Sequence, residues 1–420
     1  MAGPAIRAVE LCSRLAQDHE VQLLCPGATE LPEAQRSGGG RAFEVAEHAA
    51  GRSLLGALKG ADVFVTQGFG FPRRDLWRLP RSIRLVVDLY DPVQLELLSR
   101  LRQDEGARGR LHLAFVRRRL LWLVSRADHV LCASERQRAL WLGWLGAAGR
   151  LTPEALRDDP EARALLAVVP FGSGRLPPAE EAVRLPVPAG DAAVIWWGGM
   201  WDWMDPLTAV HAVARLRVQG IPASLVLPAG NRPGAEPMEA AARAQAEARA
   251  LGLWGRGVVQ LPAWVPYAQR GALLRGAAVA VSCHKPSLEA ELSFRTRLLD
   301  CVWAQLPVAA TAGDELSARA AQEGWARTVP PGDADALAGA LRALLNPEGR
   351  ERAQAAARAA LPAYTWDRAV SPLLRLLQLP APARAAFPSA ALLPELAGIG
   401  PADLVETAAR QLIARARRMF

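Results

Sequence analysis

The sequence contains no apolar run long enough to cross a membrane, because arginines interrupt its hydrophobic stretches before they reach the roughly 18 residues that a span needs. Met1–Leu11 also lacks the basic stretch and apolar core of a signal peptide, so none is expected. Only five cysteines are present, scattered through apolar segments. A disulfide scaffold and a cysteine-based zinc site are thereby excluded, and buried thiols in a reducing cytoplasm are predicted.

Lysine is nearly absent from a chain that is otherwise basic. Lys59 and Lys285 are the only lysines among 50 basic residues, which face 42 acidic ones and leave a net charge of +8. A positive surplus favours anionic partners such as nucleotides, phospholipid headgroups or nucleic acid. The sequence has no long basic tail, zinc-finger spacing or aromatic RNA-binding motif. We therefore predict no nucleic-acid partner.

Short apolar segments alternate with helical patterns along most of the 420 residues, of which 51% are hydrophobic. Such alternation indicates α/β domains in which helices cover both faces of a parallel sheet. The predicted strands are Glu20–Cys25, Asp62–Thr66, Ile83–Asp88, Ala127–Ala133, Leu165–Val169, Ala192–Trp197, Ser224–Leu227, Val258–Leu261, Ala278–Ser282, Pro307–Ala310 and Ala326–Val329.

The stretch Ser173–Gly190 is rich in proline, glutamate and alanine, which indicates a linker between two such domains. We predict parallel-sheet domains at residues 1–180 and 181–360 that face a central cleft, with ligands at the carboxyl ends of the strands. Residues 361–378 are predicted to form a helix that packs back on the first domain. Residues 379–420 are expected to be a loose segment with a basic C-terminal helix.

The segment His284–Val308 is the most informative part of the sequence. It follows a predicted strand and contains a predicted helix that opens near Ser293 as its N-cap. The first-turn amides of such a helix favour an anion, and Arg295 and Arg297 would add donors to a diphosphate. Asp300 would accept hydrogen bonds from ribose hydroxyls. A plain surface helix with a capping serine and ordinary surface arginines is the alternative.

This segment resembles the donor-binding helix of retaining glycosyltransferases of the GT-B fold, family 4. Leu298–Thr311, which reads LLDCVWAQLPVAAT, is similar to the family pattern L-x-E-x-x-A-x-G-x-P-V-x-x-T. Further segments resemble other family elements in the same order, and the likeness covers roughly residues 2 to 375. These segments are Ala133–Arg138, Val169–Gly172, Gly313–Leu316 and Val329–Leu337.

The resemblance implies a GT-B fold, in which two Rossmann-like parallel-sheet domains face a central cleft. It implies transfer of a hexosyl group, with retention, from a nucleotide-diphosphate sugar to a lipid-linked or polysaccharide acceptor. Helix amides and arginine would neutralise the diphosphate in place of a metal, and we predict no cofactor. The expected setting is bacterial polysaccharide and cell-envelope biosynthesis, in the cytoplasm or peripherally at the inner face of the plasma membrane.

The resemblance also indicates which residues contact the donor. Gly3 and Arg7 lie where the family has a glycine-containing loop, whereas Trp201 and Trp203 lie in a loop where a ring could stack on a sugar or base. Packing at a domain interface is the alternative for the tryptophans, and a lone loop histidine is more often solvated. The predicted donor-binding residues are Gly3, Arg7, Gly198, Gly199, Trp201, Trp203, His284, Glu289, Arg295, Thr296, Arg297 and Asp300.

Candidate acceptor contacts follow two predicted strands of the first domain, where family members often carry an acceptor loop. They are Gln67, Asp88, Tyr90 and Asp91. A capped turn before the helix that begins at Val93 is the alternative for the aspartates. The catalytic residue is left unassigned, with Asp88, Asp91 and Glu289 as candidates, because the family reaction is thought not to need a strong protein nucleophile.

The sequence departs from the family pattern at several positions. Leu292 lies eight residues before Asp300, where the family has its first glutamate, and Glu289 is out of register. The family's Lys-Gly pair is replaced by the tryptophan-rich segment Trp196–Pro206, and the first strand of the first domain is predicted to be absent. Two alternatives remain open: a sugar-nucleotide epimerase, and a non-catalytic nucleotide-sugar-binding partner of a membrane assembly.

One stretch of the first domain combines arginines with apolar side chains. Such a helix is suited to lie on an anionic bilayer, where lipid-linked acceptors are found, although the apolar residues would equally suit a protein core. The basic residues are Arg100, Arg102, Arg108, Arg110, Arg117, Arg118, Arg119 and Arg126, and the apolar ones are Leu111, Leu113, Phe115, Leu120, Leu121 and Trp122. We predict peripheral contact with an anionic membrane.

Overall fold

The computed structural model describes residues 3–25, 36, 41–49, 51–100, 106–174, 185, 187, 193–228, 238–262, 265 and 269–379. Contacts among them group into two compact units. The first, called here the six-stranded unit, falls within Met1–Leu23, Pro32–Glu44 and Pro170–Ser371. The second, called the four-stranded unit, falls within Leu24–Leu31, Val45–Val169 and Pro372–Phe420.

The four-stranded unit contains one parallel sheet. Its strands are β3 (Val63–Thr66), β4 (Arg84–Asp88), β5 (His129–Cys132) and β6 (Leu166–Val168), hydrogen-bonded in that order. Its helices are α2 (Arg73–Arg78), α3 (Val93–Arg100), α4 (Gly106–Arg126), α5 (Glu135–Ala147) and α6 (Pro153–Arg157). Every residue of β5 is buried, as expected for a central strand of a parallel sheet with helices on its faces.

The six-stranded unit contains a larger parallel sheet. Its strands are β7 (Ala193–Trp197), β8 (Ala223–Leu227), β9 (Val258–Gln260), β10 (Val279–Ser282), β11 (Val308–Thr311) and β12 (Ala326–Val329). Their order is β12-β11-β10-β7-β8-β9, and all pairs are parallel. The chain runs outward from β7 to β9 and then returns to place β10 beside β7. This is the doubly wound order, and its switch point lies between β7 and β10.

Helices surround the six-stranded sheet. They are α1 (Gly3–Leu15), α7 (Pro206–Val218), α8 (Glu239–Ala250), α9 (Arg270–Arg275), α10 (Leu288–Leu292), α11 (Thr296–Ala304), α12 (Glu315–Gln322), α13 (Ala334–Leu345) and α14 (Pro347–Ala360), followed by a 3-10 turn (Leu361–Tyr364) and α15 (Trp366–Gln378). Asp314 and Asp333 cap α12 and α13 by accepting from backbone amides. Ile195, Leu225 and Leu341 are fully buried in the core between sheet and helices.

The strand predictions agree with the structure, since each predicted segment contains or overlaps an observed strand. Sequence analysis missed β2 (Glu44–Glu47), which forms a two-stranded sheet with β1 (Gln22–Cys25) in the described part of the chain. Glutamates begin and end β2, and both are exposed, so the strand lacks the apolar run that marked the others.

The structure divides the chain differently from the predicted boundary near residue 180, because α1 groups with the six-stranded unit. Arg7 explains this grouping: its side chain is fully buried, Nη1 donates to Pro170 O at 3.1 Å, and Cζ lies 5.0 Å from the Phe171 ring centroid. The last part of α15 belongs instead to the four-stranded unit. There Arg84 Nη1 donates to the carbonyls of Leu376 and Leu377 at 3.2 and 2.8 Å.

Two predicted features lie outside the described residues, namely most of the linker and the C-terminal segment from residue 380 onward with its basic helix. None of the helices in the described part of the chain has the length and apolar character that crossing a membrane requires.

Candidate functional site

Two loops meet at the switch point of the six-stranded sheet. One follows β7 and the other follows β10, and three hydrogen bonds join them. Lys285 Nζ donates to Asp202 O at 2.8 Å, Lys285 N to Trp203 O at 3.2 Å, and Asp205 N to Cys283 O at 3.0 Å. Ligands of doubly wound sheets bind at the carboxyl ends of the strands beside this switch point. We therefore take this edge as the candidate site of the unit.

A pocket opens beside these loops. Its lining comes from the loops after β10, β11 and β12 and from α10, so it lies at the carboxyl edge of the sheet. The lining residues are His284, Lys285, Pro286, Ser287, Ala290, Glu291, Arg295, Thr311, Ala312, Gly313, Asp314 and Pro331. Hydroxyl, imidazole, ammonium and carboxylate groups all contribute, as in a site for a polar ligand.

The helix predicted to open at Ser293 begins later and follows a separate short helix. Ser287 caps α10, with its hydroxyl accepting from Ala290 N at 3.0 Å, and Ser293 ends that helix. The second helix, α11, starts at Thr296 after Arg295, with no side chain capping it. The prediction of Ser293 as an N-cap is therefore wrong, because Ser293 Oγ donates to Glu289 Oε1 at 2.5 Å instead.

Glu289 and Arg295 form a buried ion pair. Their side chains are 2% and 5% exposed, and Arg295 Nη1 lies 3.2 Å from Glu289 Oε1. Arg295 Nη2 also donates to Ala290 O at 2.9 Å. The pair joins α10 to the start of α11. Glu289 therefore does not present a free carboxylate to a substrate, which removes it as a catalytic candidate, and Arg295 holds the loop together.

Arg297 connects α11 to the loop after β7. Its Nη1 donates to Gly198 O at 2.6 Å and lies 3.3 Å from Met204 Sδ. Gly199 adopts a φ of +95°, and a Cβ there would lie 3.5 Å from the Arg297 guanidinium. Burial and then Arg295 lower the pKa of Arg297 to about 10, which leaves it charged at neutral pH. The two predicted glycines thus surround an arginine that positions their loop.

The two tryptophans of this loop stack on each other. The rings of Trp201 and Trp203 lie 5.1 Å apart between centroids with an interplanar angle of 6°. Trp203 is buried, whereas Trp201 is 38% exposed. Only Trp201 therefore has a ring face accessible for the predicted stacking on a ligand, and Trp203 supports it from within.

His284, predicted to contact the donor, is buried in the wall of the pocket, which contradicts the alternative of a solvated loop histidine. His284 is 4% exposed, and its backbone N–H donates to Thr311 Oγ1 at 3.1 Å. Among the described residues, none hydrogen-bonds its Nε2. Burial, and then Arg295 and Arg297, lower its pKa well below the ordinary value, so the ring is neutral at physiological pH. An uncharged ligand group is a suitable partner for this nitrogen.

Asp300 lies one turn into α11 and faces α9. Arg270 Nε donates to its Oδ1 at 3.0 Å, and the Arg270 guanidinium lies 4.4 Å from the Trp303 ring centroid. The Asp300 side chain is 43% exposed. A carboxylate has about four acceptor positions, and this hydrogen bond uses one of them. Asp300 therefore remains accessible for the predicted ribose contact, which stays a prediction.

The other predicted donor residues have contrasting positions. Gly3 begins α1, and Thr296 begins α11 with its N–H donating to Phe294 O at 2.8 Å. Arg7 is fully buried against Pro170 and Phe171. The prediction that Arg7 contacts a donor is therefore corrected, because its guanidinium is enclosed by protein.

The structure brings the acceptor candidates together at one edge of the four-stranded sheet. Gln67 follows β3 and Asp88 ends β4, which is the neighbouring parallel strand. Asp88 is 5% exposed and Tyr90 is 9% exposed, while Asp91 is half-buried. Their location at carboxyl strand ends fits a binding role, and that role stays a prediction.

Sequence analysis missed Lys285, Ser287 and Thr311 of the pocket and the Asp300 partner Arg270. Lys285 and Thr311 lie at or just after the ends of predicted strands, so the strand-end rule would have identified both. Among the described residues, no group of three or more His, Cys, Asp or Glu side chains is placed to hold a metal ion.

The arginine-rich helix α4 of the four-stranded unit has two different halves. Its second half is core: Arg119 is 3% exposed, Leu120 is fully buried, and Trp122 is 5% exposed. In its first half, Arg108 and Arg110 are exposed, and Phe115 is 62% exposed. The prediction that the whole stretch faces a bilayer is therefore wrong for the second half, because those side chains pack inside the unit.

No profile of a known protein family matches the chain, and no curated protein sequence matches it. Solved structures do match. Sucrose-phosphate synthase from Thermosynechococcus elongatus is 17% identical with a TM-score of 0.59, over 90% of this chain and 93% of that chain. WaaG, a glycosyltransferase involved in lipopolysaccharide biosynthesis, is 14% identical with a TM-score of 0.56, over 90% and 95%. Anabaena HepE, in complex with UDP and glucose, is 12% identical with a TM-score of 0.58, over 90% and 95%. These likenesses confirm the predicted GT-B fold.

Proposed function

We propose that the protein is a glycosyltransferase that uses a nucleotide-diphosphate sugar as donor. The observation that carries this proposal is the pocket at the carboxyl ends of β10 and β11, which several polar side chains line, beside the switch point of a doubly wound sheet. The fold supports it, since structures of the same fold include a synthase of sucrose phosphate, a lipopolysaccharide glycosyltransferase and a protein holding UDP and glucose. The donor proposed here is therefore a nucleoside diphosphate linked to a hexose.

The proposed reaction retains configuration and proceeds without a metal or other cofactor. Negative charge builds on the diphosphate as its bond to the sugar breaks, and preorganised donors at that position lower the barrier. The hydroxyls of Ser287 and Thr311, which line the pocket, are the neutral donors proposed here. No protein nucleophile is required, which agrees with the commitment of Glu289 to Arg295. Gln67, Asp88, Tyr90 and Asp91 are proposed to contact the acceptor.

A non-catalytic nucleotide-sugar-binding role is the second candidate. Leu292 occupies the position where the resembled family has its first glutamate, and the nearby Glu289 carboxylate is buried in an ion pair. A chain without that carboxylate would still bind a donor at the pocket. A sugar-nucleotide epimerase is the third candidate, and it would change the sugar without releasing nucleoside diphosphate.

A panel of UDP-, GDP-, ADP- and dTDP-linked hexoses separates these functions. The protein is incubated with each donor and a lipid extract or oligosaccharide acceptor, and nucleoside diphosphate release and donor NMR spectra are recorded. Release with one donor supports the transferase. Binding by calorimetry without release identifies the non-catalytic role, and a new sugar isomer without release identifies an epimerase. Absence of both binding and release across the panel would refute the donor proposal.

We further propose that the acceptor is lipid-linked or a growing polysaccharide and that the protein works in the cytoplasm at the inner face of the plasma membrane. The support is the first half of α4, where Arg108 and Arg110 are exposed and Phe115 is 62% exposed. Arginines attract anionic headgroups, and an exposed aromatic ring favours the interfacial region.

The variant Arg108→Glu/Arg110→Glu is expected to lose vesicle binding. Each basic residue near an anionic surface contributes about 1 kcal/mol, so reversal of two should lower the bound fraction at low salt by about tenfold or more. Co-sedimentation with anionic and neutral vesicles measures this. Arg81→Glu/Arg157→Glu is the matched control, since it makes the same charge change at exposed positions of the same unit. Equal losses in both variants, or no preference of the unaltered protein for anionic vesicles, would contradict the proposal.

A further inference from the structure

Lys285 lies at the switch point of the six-stranded sheet. It follows β10 by three residues, lines the pocket, and donates from Nζ to Asp202 O at 2.8 Å in the loop after β7. The strands β7 and β10 are hydrogen-bonded neighbours, so this side chain spans the gap between the two loops where the strand order reverses. No other lysine lies in this unit, because Lys59 belongs to the four-stranded unit.

The arginines expected to bind a diphosphate are engaged with the protein. The Arg295 guanidinium contacts Glu289 through two nitrogens and donates to Ala290 O, at 5% exposure. Arg297 Nη1 contacts Gly198 O and Met204 Sδ. If Arg295 left Glu289 to reach a ligand, a buried carboxylate would lose its cation, which is costly. If Arg297 left Gly198 O, the loop after β7 would lose a hydrogen bond that holds it. Arg295 lines the pocket, but its ion pair with Glu289 and its hydrogen bond to Ala290 O commit most of its guanidinium, so a cation outside that ion pair is better suited to direct contact.

Lys285 has the chemistry for that contact. An ammonium carries three protons, and the hydrogen bond to Asp202 O uses one, which leaves two for a ligand. Burial, and then Arg243, lower its pKa from the ordinary value, which means that the charged form is held in unfavourable surroundings. An anion in the pocket would offset both effects. A compact ammonium suits phosphate oxygens as a point charge.

A second observation shows that the pocket is built for a ligand. The Nε2 of the adjacent His284 is buried and lacks a partner among the described residues, and the residue is 4% exposed. Its neutral ring cannot act as a second cation, but it can hydrogen-bond a hydroxyl. Two carboxylates also line the pocket, and Asp314 is occupied in capping α12. Glu291 is exposed, and a carboxylate of this kind suits sugar hydroxyls.

We infer that Lys285 is the cation that directly contacts the diphosphate of the donor, with Arg295 and Arg297 as positioning residues. This inference rests on the proposed function, because it names the group that binds the phosphates of a nucleotide sugar. A ligand with a diphosphate beside Lys285 and hydroxyls beside His284 matches the mixture of charges that lines the pocket.

The scarcity of lysine allows a direct test on the unaltered protein. Acylation by an N-hydroxysuccinimide ester labels lysine amines, and Lys285 and Lys59 are the only two in the chain. The rate of acylation at each lysine is followed by peptide mass spectrometry. Separate arms contain UDP, GDP, ADP or dTDP, the matching nucleosides, or inorganic pyrophosphate. At about ten times the dissociation constant, the bound diphosphate should slow acylation of Lys285 about tenfold. The exposed Lys59 should react equally in every arm, and nucleosides should not protect either lysine.

The outcomes separate this inference from the proposed function. If calorimetry shows a nucleoside diphosphate bound and Lys285 is acylated at the same rate, the inference is overturned while the function survives. If no nucleotide binds but pyrophosphate protects Lys285, the phosphate site stands and the donor proposal fails. If neither nucleotide nor pyrophosphate protects it, the inference is wrong.

Variants provide the second measurement. Lys285→Gln, which keeps a donor for Asp202 O, should weaken binding of the protecting diphosphate by about tenfold to a hundredfold, as expected for loss of a charge-assisted hydrogen bond. Lys285→Arg should retain more of the affinity, because the charge remains, and Lys59→Gln should leave it unchanged. Unchanged affinity in Lys285→Gln, with an unaltered circular dichroism spectrum, would overturn the assignment.

Discussion

Replacement of Arg295 by methionine is expected to lower the free energy of unfolding by about 3–5 kcal/mol, because it leaves a buried carboxylate without its cation. Glu289 is 2% exposed, and Arg295 is the guanidinium that contacts it. The remaining hydrogen bond from Ser293 Oγ satisfies only part of the carboxylate. Denaturant unfolding at neutral pH measures the loss. Arg295 was predicted from the sequence as a direct ligand of the donor, and this result would identify its structural role.

Two further variants complete the experiment. Glu289→Leu/Arg295→Met removes both charges and should recover most of the stability, because an apolar pair can replace a buried ion pair. Arg215→Met breaks an exposed ion pair, in which the side chain of Arg215 is 37% exposed and that of Asp335 is 81% exposed. Its loss should lower the free energy of unfolding by at most about 1 kcal/mol. A deficit in Arg295→Met no larger than that of Arg215→Met would contradict the assignment of a buried pair.

The fold was predictable because its signals are local in sequence. Strands such as β8 and β10 are short apolar runs between helical patterns, and alternation of strands and helices specifies parallel sheets. The switch point then follows from strand order, which places the loops after β7 and β10 at the site. The sequence also placed Asp300 in a helix that ends before Pro307, as observed for α11.

The roles of individual side chains were harder to predict because they depend on contacts between distant or irregular segments. Glu289 lies in α10 and Arg295 lies just before α11, and no helical spacing marks them as partners. Arg7 is buried against Pro170, far away in sequence. Both Ser287 and Ser293 precede helical residues, and only the backbone geometry decides that Ser287 is the cap.

Loss of the Asp300 carboxylate is expected to weaken nucleotide binding by about an order of magnitude or more, as for one or two hydrogen bonds to a charged group. Asp300 is the fifth residue of α11, roughly 6 Å along the axis from Thr296 at 1.5 Å per residue. A ribose linked to a diphosphate at the helix start lies at a comparable distance. Arg270 Nε holds Oδ1 at 3.0 Å, which orients the carboxylate and leaves acceptor positions for hydroxyls.

Calorimetry with Asp300→Ala and Asp300→Asn measures this effect for the nucleoside diphosphate that the unaltered protein binds. Asp300→Asn keeps one carbonyl oxygen and should lose less affinity than Asp300→Ala. Asp335→Ala is the matched control, because it also removes the carboxylate of an arginine ion pair from a helix of the same unit. Its nucleotide affinity should be unchanged.

The 2′-deoxynucleotide supplies a sharper test of the ribose contact. If Asp300 binds the ribose 2′-hydroxyl, removal of that hydroxyl should lower the affinity of the unaltered protein and should lower that of Asp300→Ala much less. Equal losses in both proteins would place that hydroxyl away from Asp300, and unchanged affinity in Asp300→Ala would remove the ribose assignment altogether.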